Sequence, residues 1–479
     1  MRLWCKKVNP QRYLHMRRRK TLAKLGSGTN ILFPVHLCSF RRFLLGLVFA
    51  AVGFNGLLAS NLGTSGDQPR NVTERYRQDP PRSRRIDVAK AALTDRNTTI
   101  DATSTVAFAI SITGCNWHVV DAAAVHAYSI DVAQRQSSYL HRRYAFVHPN
   151  ATSCSETLRK LGFIILVRDV PIRVSDIAKP YLRKAIEEDG CCGSKELLKL
   201  YAYTLNESVA VHLDTDMILL QSIDEVFDSI LNGPERHRIA TEGNKRLPSN
   251  PVNFLFTRDY TQGPKNRQDT SRWAVQGGLL VVKPNHTQFR SILDVVLEGN
   301  FDRRGWGGTG IGFSWGGAQI QGLLSYIYLN DPSAIELDRC VYNNMADDPT
   351  FSRGKYKGRC TTMKPNCSNC QLTPIDDIKM VHFTLCSKPW RCARHEERNG
   401  QCARMLSKWF ELRRQLESDW GRPFQPPPVH RWFYNASMGY CKATRSHSKR
   451  YSGVRLPEDL NWSSLPSLPK EGTPRNSVD

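Results

Sequence analysis

The chain has 479 residues, 40% of them hydrophobic and 23% charged, with a formal net charge of +23. That length accommodates one large catalytic domain with appendages and excludes three ordinary domains. The charge points first to a polyanion, yet eleven Lys and Arg and no acidic residue fall in the first 66 positions, leaving +12 for the remainder; with no aromatic-basic repeat, a nucleic-acid partner is not expected.

In chain order, residues 1–42 read as a basic tail ahead of an apolar segment at 43–59. At ~1.5 Å per residue that segment reaches ~25 Å, just short of a ~30 Å hydrocarbon core. Basic residues upstream, from Arg17 to Arg42, predict a cytosolic N-terminus by the positive-inside tendency. The expectation is a type II single-pass signal anchor in the Golgi or ER membrane, with the catalytic domain in the lumen. A cleaved signal or an organelle transit peptide has the same Arg-rich, acid-poor composition. Residues 60–103, rich in Pro and Arg and without periodicity, predict a disordered stem.

Folded chain is expected from residue 104. Ser104 to Gly114, an apolar β-rich run ending in a turn, predicts a buried strand, and a helix follows around Asp121 to Ser137. Strands are predicted at Tyr144 to Pro149 and Gly162 to Ile172, then a helix over Ser194 to Leu205 and a buried strand through Ser208 to Leu220. Strands alternating with helices indicate an α/β fold with a mostly parallel sheet, whose ligands bind beyond the carboxyl ends of the strands. The catalytic domain is placed at 104–415, with a C-terminal extension and loose tail at 416–479. Acceptor triplets for N-glycosylation occur at Asn71, Asn97, Asn150, Asn206, Asn285, Asn366, Asn435 and Asn461. Eight cysteines from Cys340 to Cys441 predict disulfides in an oxidising compartment, although Cys360, Cys367 and Cys370 also have a spacing that zinc accepts.

The chemistry concentrates in two segments. Asp214 and Asp216 follow the apolar run Val209 to Leu213. In an extended strand residues two apart share a side, so both carboxylates would face one Mg²⁺ or Mn²⁺ holding a diphosphate. Asp-x-Asp is also common on exposed loops, but two acids between apolar runs are costly to bury without a cation. The second segment is Lys379 to Trp390, where His382 sits inside a short apolar run and Lys388 follows. A histidine so placed is commonly a core residue; joined to two carboxylates, its imidazole would favour Mn²⁺.

These residues resemble a known family. HLDTDMILLQSIDEVFD is similar to the strand, Asp-x-Asp and following helix of glycosyltransferase family 8, the glycogenin and bacterial lipopolysaccharide galactosyltransferase group. HFTLCSKPW resembles its His-Phe-x-Gly-x-x-Lys-Pro-Trp segment, GGLLVVKPNHTQF its Asn-x-Gly strand, QGLLSYIYL its Asp-Gln-Gly segment, and LLKLYAYTL the helix before the metal motif. The similarity runs in order from Val106 to Trp390. It implies a GT-A (Rossmann-like, nucleotide-sugar-binding) fold, Mn²⁺ with Mg²⁺ as a substitute, a UDP-sugar donor and retention of anomeric configuration.

Carried onto this chain, Asp214, Asp216 and His382 would hold the metal, and Lys388 would neutralise the departing phosphate. Lys199, Ile112 and Thr113 would contact the donor, with Gln276, Gly277, Gly278 and Gln321 at the sugar and reacting centre. Three positions depart from the pattern: Ile320 replaces the aspartate before Gln-Gly, Gln276 an asparagine, and Leu385 a glycine. The expected function is a UDP-sugar hexosyltransferase acting on a glycan, glycoprotein or glycolipid. The alternatives are an inactive nucleotide-sugar- or glycan-binding protein of the same fold, and a basic polyanion-binding protein.

Overall fold

The computed structural model describes residues 104–233, 239–242, 251–261, 269–392, 400–423, 437–443 and 449–465. The expected type II membrane placement is corrected here. Among the described residues no helix is long and apolar enough to cross a membrane, and the segment at 43–59 that carried the expectation lies outside them, as does the stem.

Strand β1 (Thr105–Ile112) enters the core first, and Asn116 then caps α1 (Trp117–Ala133) by accepting from the amides of His118 and Val119. β2 (Leu140–Val147), α2 (Ser155–Lys160) and β3 (Ile164–Val167) follow. β3 is shorter than the run Gly162 to Ile172 predicts. It is the sheet's edge, and beyond Val167 the chain turns away at Asp169, whose carboxylate accepts from the Val170 amide. After α3 (Pro180–Glu188), the expected helix at 194–205 is wound as consecutive 3₁₀ turns over Gly193–Thr204. β4 (Val209–Leu213) and β5 (Met217–Leu219) flank a tight turn, with α4 (Asp224–Leu231) behind them. The remaining core elements are β6 (Phe254–Arg258), β7 (Val275–Val282), α5 (His286–Glu298), β8 (Phe301–Asp302), β9 (Gly305–Trp306), α6 (Ile320–Ile327), β10 (Ala334–Glu336), α7 (Arg339–Tyr342) and β11 (Met380–His382). α8 (Gly400–Asp419), β12 (Cys441–Ala443) and β13 (Lys449–Tyr451) complete them.

The result is a mixed α/β fold around a seven-stranded sheet in the order β10-β6-β7-β4-β1-β2-β3. Four of its strand pairs are parallel, and β7 runs antiparallel to both β4 and β6. Alternation along β1 explains its near-continuous apolarity. Ile110 and Ile112 pack into the layer of α1 and α8, whereas Ala107 and Ala109 pack into that of α5 and α6. Both faces are covered, so polar residues would be costly on either.

Past residue 415, Trp462 and Leu465 join the α1 and α8 layer, and the Trp462 indole donates to Asp131 at 2.6 Å. Five disulfides staple the described chain. Cys340–Cys370, Cys360–Cys367, Cys386–Cys402 and Cys392–Cys441 use all eight of the clustered cysteines, so the zinc alternative has no ligands left; Cys115–Cys154 is the fifth. Asn285 caps α5 through its side chain, accepting from Thr287 and Gln288, which gives that acceptor triplet a structural use of its own.

Two buried histidines set a pH dependence. His126 bonds the Met217 carbonyl at 2.8 Å, and His212 bonds the Ser111 hydroxyl at 2.9 Å. Burial pushes their pKa values down to about 4 and about 3. The folded values lie below the ordinary ~6.5, so as pH falls the unfolded chain takes up protons first. Stability is therefore full above pH ~6.5 and drains away toward pH ~4 for His126 and pH ~3 for His212, by on the order of 3–5 kcal/mol per histidine at most. Urea midpoints are expected to drop across that window, and His212→Gln should flatten the slope by about one proton. A pH-independent midpoint would contradict the assignment.

Candidate active site

The carboxyl ends of β1 and β4 lie side by side, as parallel register dictates, and open into a cleft of ≈ 1310 Å³ including its mouth. Its interior, ≈ 360 Å³, falls within the ~300–1,000 Å³ of ligand sites. Ile112 and Thr113 line it from the end of β1.

Asp214 and Asp216 converge differently from expectation. They do not lie on an extended strand. The Met217 amide donates to the Asp214 carbonyl at 3.0 Å, closing a turn between β4 and β5, and the turn aims both carboxylates into the cleft. β5 pairs antiparallel with β11, His382 opposite Met217, and the Phe383 amide donates to the Asp216 carbonyl at 3.0 Å. That pairing brings the imidazole to the carboxylates across more than 160 residues of chain. One ligand atom from each of Asp214, Asp216 and His382 lies within 4.8 Å of the others.

The tautomer of His382 follows from its surroundings. Asn343, fully buried, donates its amide hydrogens to Thr257 Oγ1 at 2.7 Å and Gln276 Oε1 at 3.1 Å. Its carbonyl oxygen therefore faces His382 Nδ1, 3.0 Å away, and accepts that proton. Nε2 is left as a bare lone pair, 3.5 Å from Asp216 Oδ1. Burial lowers the His382 pKa to about 4, so the ring is neutral at physiological pH. Two carboxylates and a neutral imidazole, oriented from behind by an amide, fit a divalent ion such as Mn²⁺.

Two lysines hold the carboxylates. Lys199 Nζ is 2.8 Å from Asp214 Oδ1, 2.8 Å from Glu196 Oε2 and 3.0 Å from the Gly277 carbonyl, so its three N–H donors are matched by three acceptors. Burial alone would lower its pKa, but Asp214 and then Glu196 hold it above the usual lysine range. Burial is the largest single influence on Asp214 and works to raise it, but the charge of Lys199, its hydrogen bond and the neighbouring histidines together outweigh burial and hold the carboxyl at about 2. Lys388 pairs with Asp216, and burial brings its pKa down to about 8.

The floor of the site is β7. The Asp214 amide donates to the Gly278 carbonyl at 2.9 Å, and the Gly278 amide donates to Gln276 Oε1 at 2.6 Å. A Cβ on Gly278 would meet His382 Cε1 at 2.3 Å, whereas one on Gly277 would meet Gln321 Cγ at 3.0 Å. Gly278→Ala is thus expected to push the imidazole off the carboxylates and weaken metal binding by about tenfold or more, with Gly277→Ala much milder. Calorimetric Mn²⁺ titration of the two variants checks this; unchanged affinity in Gly278→Ala would contradict it. Gln321 spans β7 and the glycine-rich loop, accepting from the Gly277 amide at 3.1 Å and donating to the Trp315 carbonyl.

Of the departures, Ile320 is buried against the α5 and α6 layer while edging the cleft, Gln276 is buried beneath His382, and Leu385 is solvent-exposed. Sequence reasoning missed Asn343, which no spacing announces. It also missed Glu196, whose i,i+3 relation to Lys199 on a helical pattern was available. Trp315 and Gly316, from the Gly305 to Gly317 loop, also line the cleft.

No family model matches the chain, and no curated protein matches it. Among solved structures it is similar to mouse xyloside xylosyltransferase 1 in its apo form, at 12% identity and a TM-score of 0.37, covering 60% of this chain and 99% of that one. It is likewise similar to the galactosyltransferase LgtC in complex with donor and acceptor sugar analogs, at 12% identity and 0.37, covering 68% and 98%. The apo glycosyltransferase GlyE of Streptococcus pneumoniae follows at 11% and 0.35, covering 67% and 64%. With TM-scores below 0.5, these likenesses assign the chain neither a family nor a function.

Proposed function

We propose that this protein is a metal-dependent, retaining glycosyltransferase of GT-A fold that moves a hexose from a UDP-sugar to a glycan, glycoprotein or glycolipid. The observation that carries the proposal is the convergence of Asp214, Asp216 and His382 beside two lysines at the carboxyl ends of the sheet. Its order in the chain agrees with the resemblance to family 8.

Asp214, Asp216 and His382 would hold Mn²⁺, or Mg²⁺ less well, and the ion when bound supplies charge that stabilises a diphosphate leaving group. Ile112 and Thr113 flank the nucleotide. Lys199 keeps Asp214 ionised and aimed. Lys388, cationic below about pH 8, offers its charge to the phosphate as the glycosidic bond breaks. The acceptor oxygen bonds to the anomeric carbon on the face the phosphate leaves, and the acceptor proton passes to the departing phosphate oxygen. Gln276, Gly277, Gly278 and Gln321 shape the sugar side, with Gln321 positioning the glycine loop.

Release of UDP from a panel of UDP-hexoses, with Mn²⁺ or with chelator, tests this. Mn²⁺-dependent release, faster with a glycan acceptor, is the expected result. A second reading, a binding protein without turnover, is favoured by Ile320, which puts an apolar side chain where family 8 has a carboxylate. UDP binding with no UDP release from any donor would select it.

A further inference from the structure

At the mouth of the cleft, the sequence Gly190-Cys191-Cys192-Gly193 forms a tight loop. Both glycines are left-handed, at φ +64° and +63°, and a Cβ on Gly190 would meet Gln319 Oε1 at 2.1 Å, while Gln319 donates to the Asp189 carbonyl just before the loop at 2.6 Å. It presents two thiols with Sγ atoms 2.8 Å apart, and Cys191 Sγ lies 3.1 Å from Glu196 Oε1. Both cysteines line the cleft, and they are the free ones among the described residues, where ten others are paired. Consecutive Cα atoms sit ~3.8 Å apart, below the ~4.4–6.8 Å that disulfides usually span, so a bond between these two would be strained and readily reduced.

We propose that Cys191, Cys192 and Glu196 form a second cation site, at the rim of the cleft, which takes a thiophilic divalent ion such as Zn²⁺. One ligand atom from each residue lies within 4.8 Å of the others. Two sulfurs and one carboxylate oxygen form a soft donor set, distinct in preference from the harder set of Asp214, Asp216 and His382. Binding forms two metal–sulfur bonds and releases the two thiol protons to solvent. It also draws on Glu196, whose other oxygen is bonded to Lys199, so an occupied rim site competes for the residue that steadies Asp214. The consequence is inhibition of transfer, a consequence that rests on the proposed glycosyltransferase activity; the site itself does not.

The test is a Cd²⁺ titration of the full-length protein, following the thiolate-to-cadmium absorption band, against Cys191→Ser/Cys192→Ser. The wild type is expected to bind one equivalent more than the double variant, with affinity at that site about 100-fold or more above any residual binding, and Zn²⁺ should compete. Zn²⁺ added at saturating Mn²⁺ should suppress UDP release in the wild type and spare the double variant. Equal Cd²⁺ binding by the two proteins, or a thiol count showing Cys191 and Cys192 oxidised, overturns the site. If the band is missing while Mn²⁺ and UDP still stabilise the protein, only the rim site fails. If the band is present without that stabilisation, only the donor reading fails.

Discussion

Asp216→Asn is expected to lower transfer by on the order of 10³-fold while leaving the fold intact. Asparagine keeps the shape but removes the charge from one of the three converging ligands, and its oxygen is a weak donor to a hard cation. Asp216 is the better choice over Asp214 for a physical reason. Lys199, the partner of Asp214, is 6% exposed and would lose one of its two carboxylate partners in a buried position, keeping only Glu196 and the Gly277 carbonyl, so a change at Asp214 also disturbs a buried ion-pair network. Lys388, the partner of Asp216, is 23% exposed and opens onto the cleft, so water can take over. A melting temperature within a few degrees of wild type, with transfer lost, is the anticipated pair of results. Wild-type turnover in Asp216→Asn would remove the metal assignment.

Lys388→Met should reduce kcat by ~10²–10³-fold, the usual scale for deleting one positioned charge at a developing anion. The pH profile separates this from mere disruption. With a pKa near 8 in the free protein, Lys388 carries its charge below that pH and loses it above. The wild-type kcat/KM should therefore fall on the alkaline side of pH 8, since that quantity reports the free enzyme. Lys388→Arg keeps a charge that does not titrate in this range, so the alkaline limb should disappear even where the overall rate is lower. An alkaline limb that persists unchanged in Lys388→Arg would assign it to another group.

Much of this was legible in the chain. The runs at Val106 to Ile112 and Val209 to Leu213 are apolar because both faces of the sheet are covered, and Asp214 and Asp216 stand out because acids are costly between such runs. His382 was visible as a polar residue in an apolar triplet. What joins it to the aspartates is the β5–β11 pairing, a contact between distant segments that local pattern does not encode. The turn at Asp214 was hidden for a related reason, since a strand interrupted by three residues has much the same hydrophobic signature as a continuous one. Asn343 orients His382 through an amide whose meaning exists only once Thr257 and Gln276 surround it. The membrane expectation rested on the apolar run at 43–59 and the basic residues before it, all outside the described residues, and no described helix is long and apolar enough to cross a membrane.

Thermal unfolding of the full-length protein with UDP, with and without Mn²⁺, tests the central claim most directly. At ligand a hundredfold above its dissociation constant, linkage predicts ~2.7 kcal/mol of added stability. The expected result is a rise in melting temperature that requires both UDP and Mn²⁺ and vanishes in Asp216→Asn. A rise with UDP that ignores Mn²⁺ and survives in Asp216→Asn, or no rise at all in folded protein, would contradict a metal-nucleotide site at Asp214, Asp216 and His382.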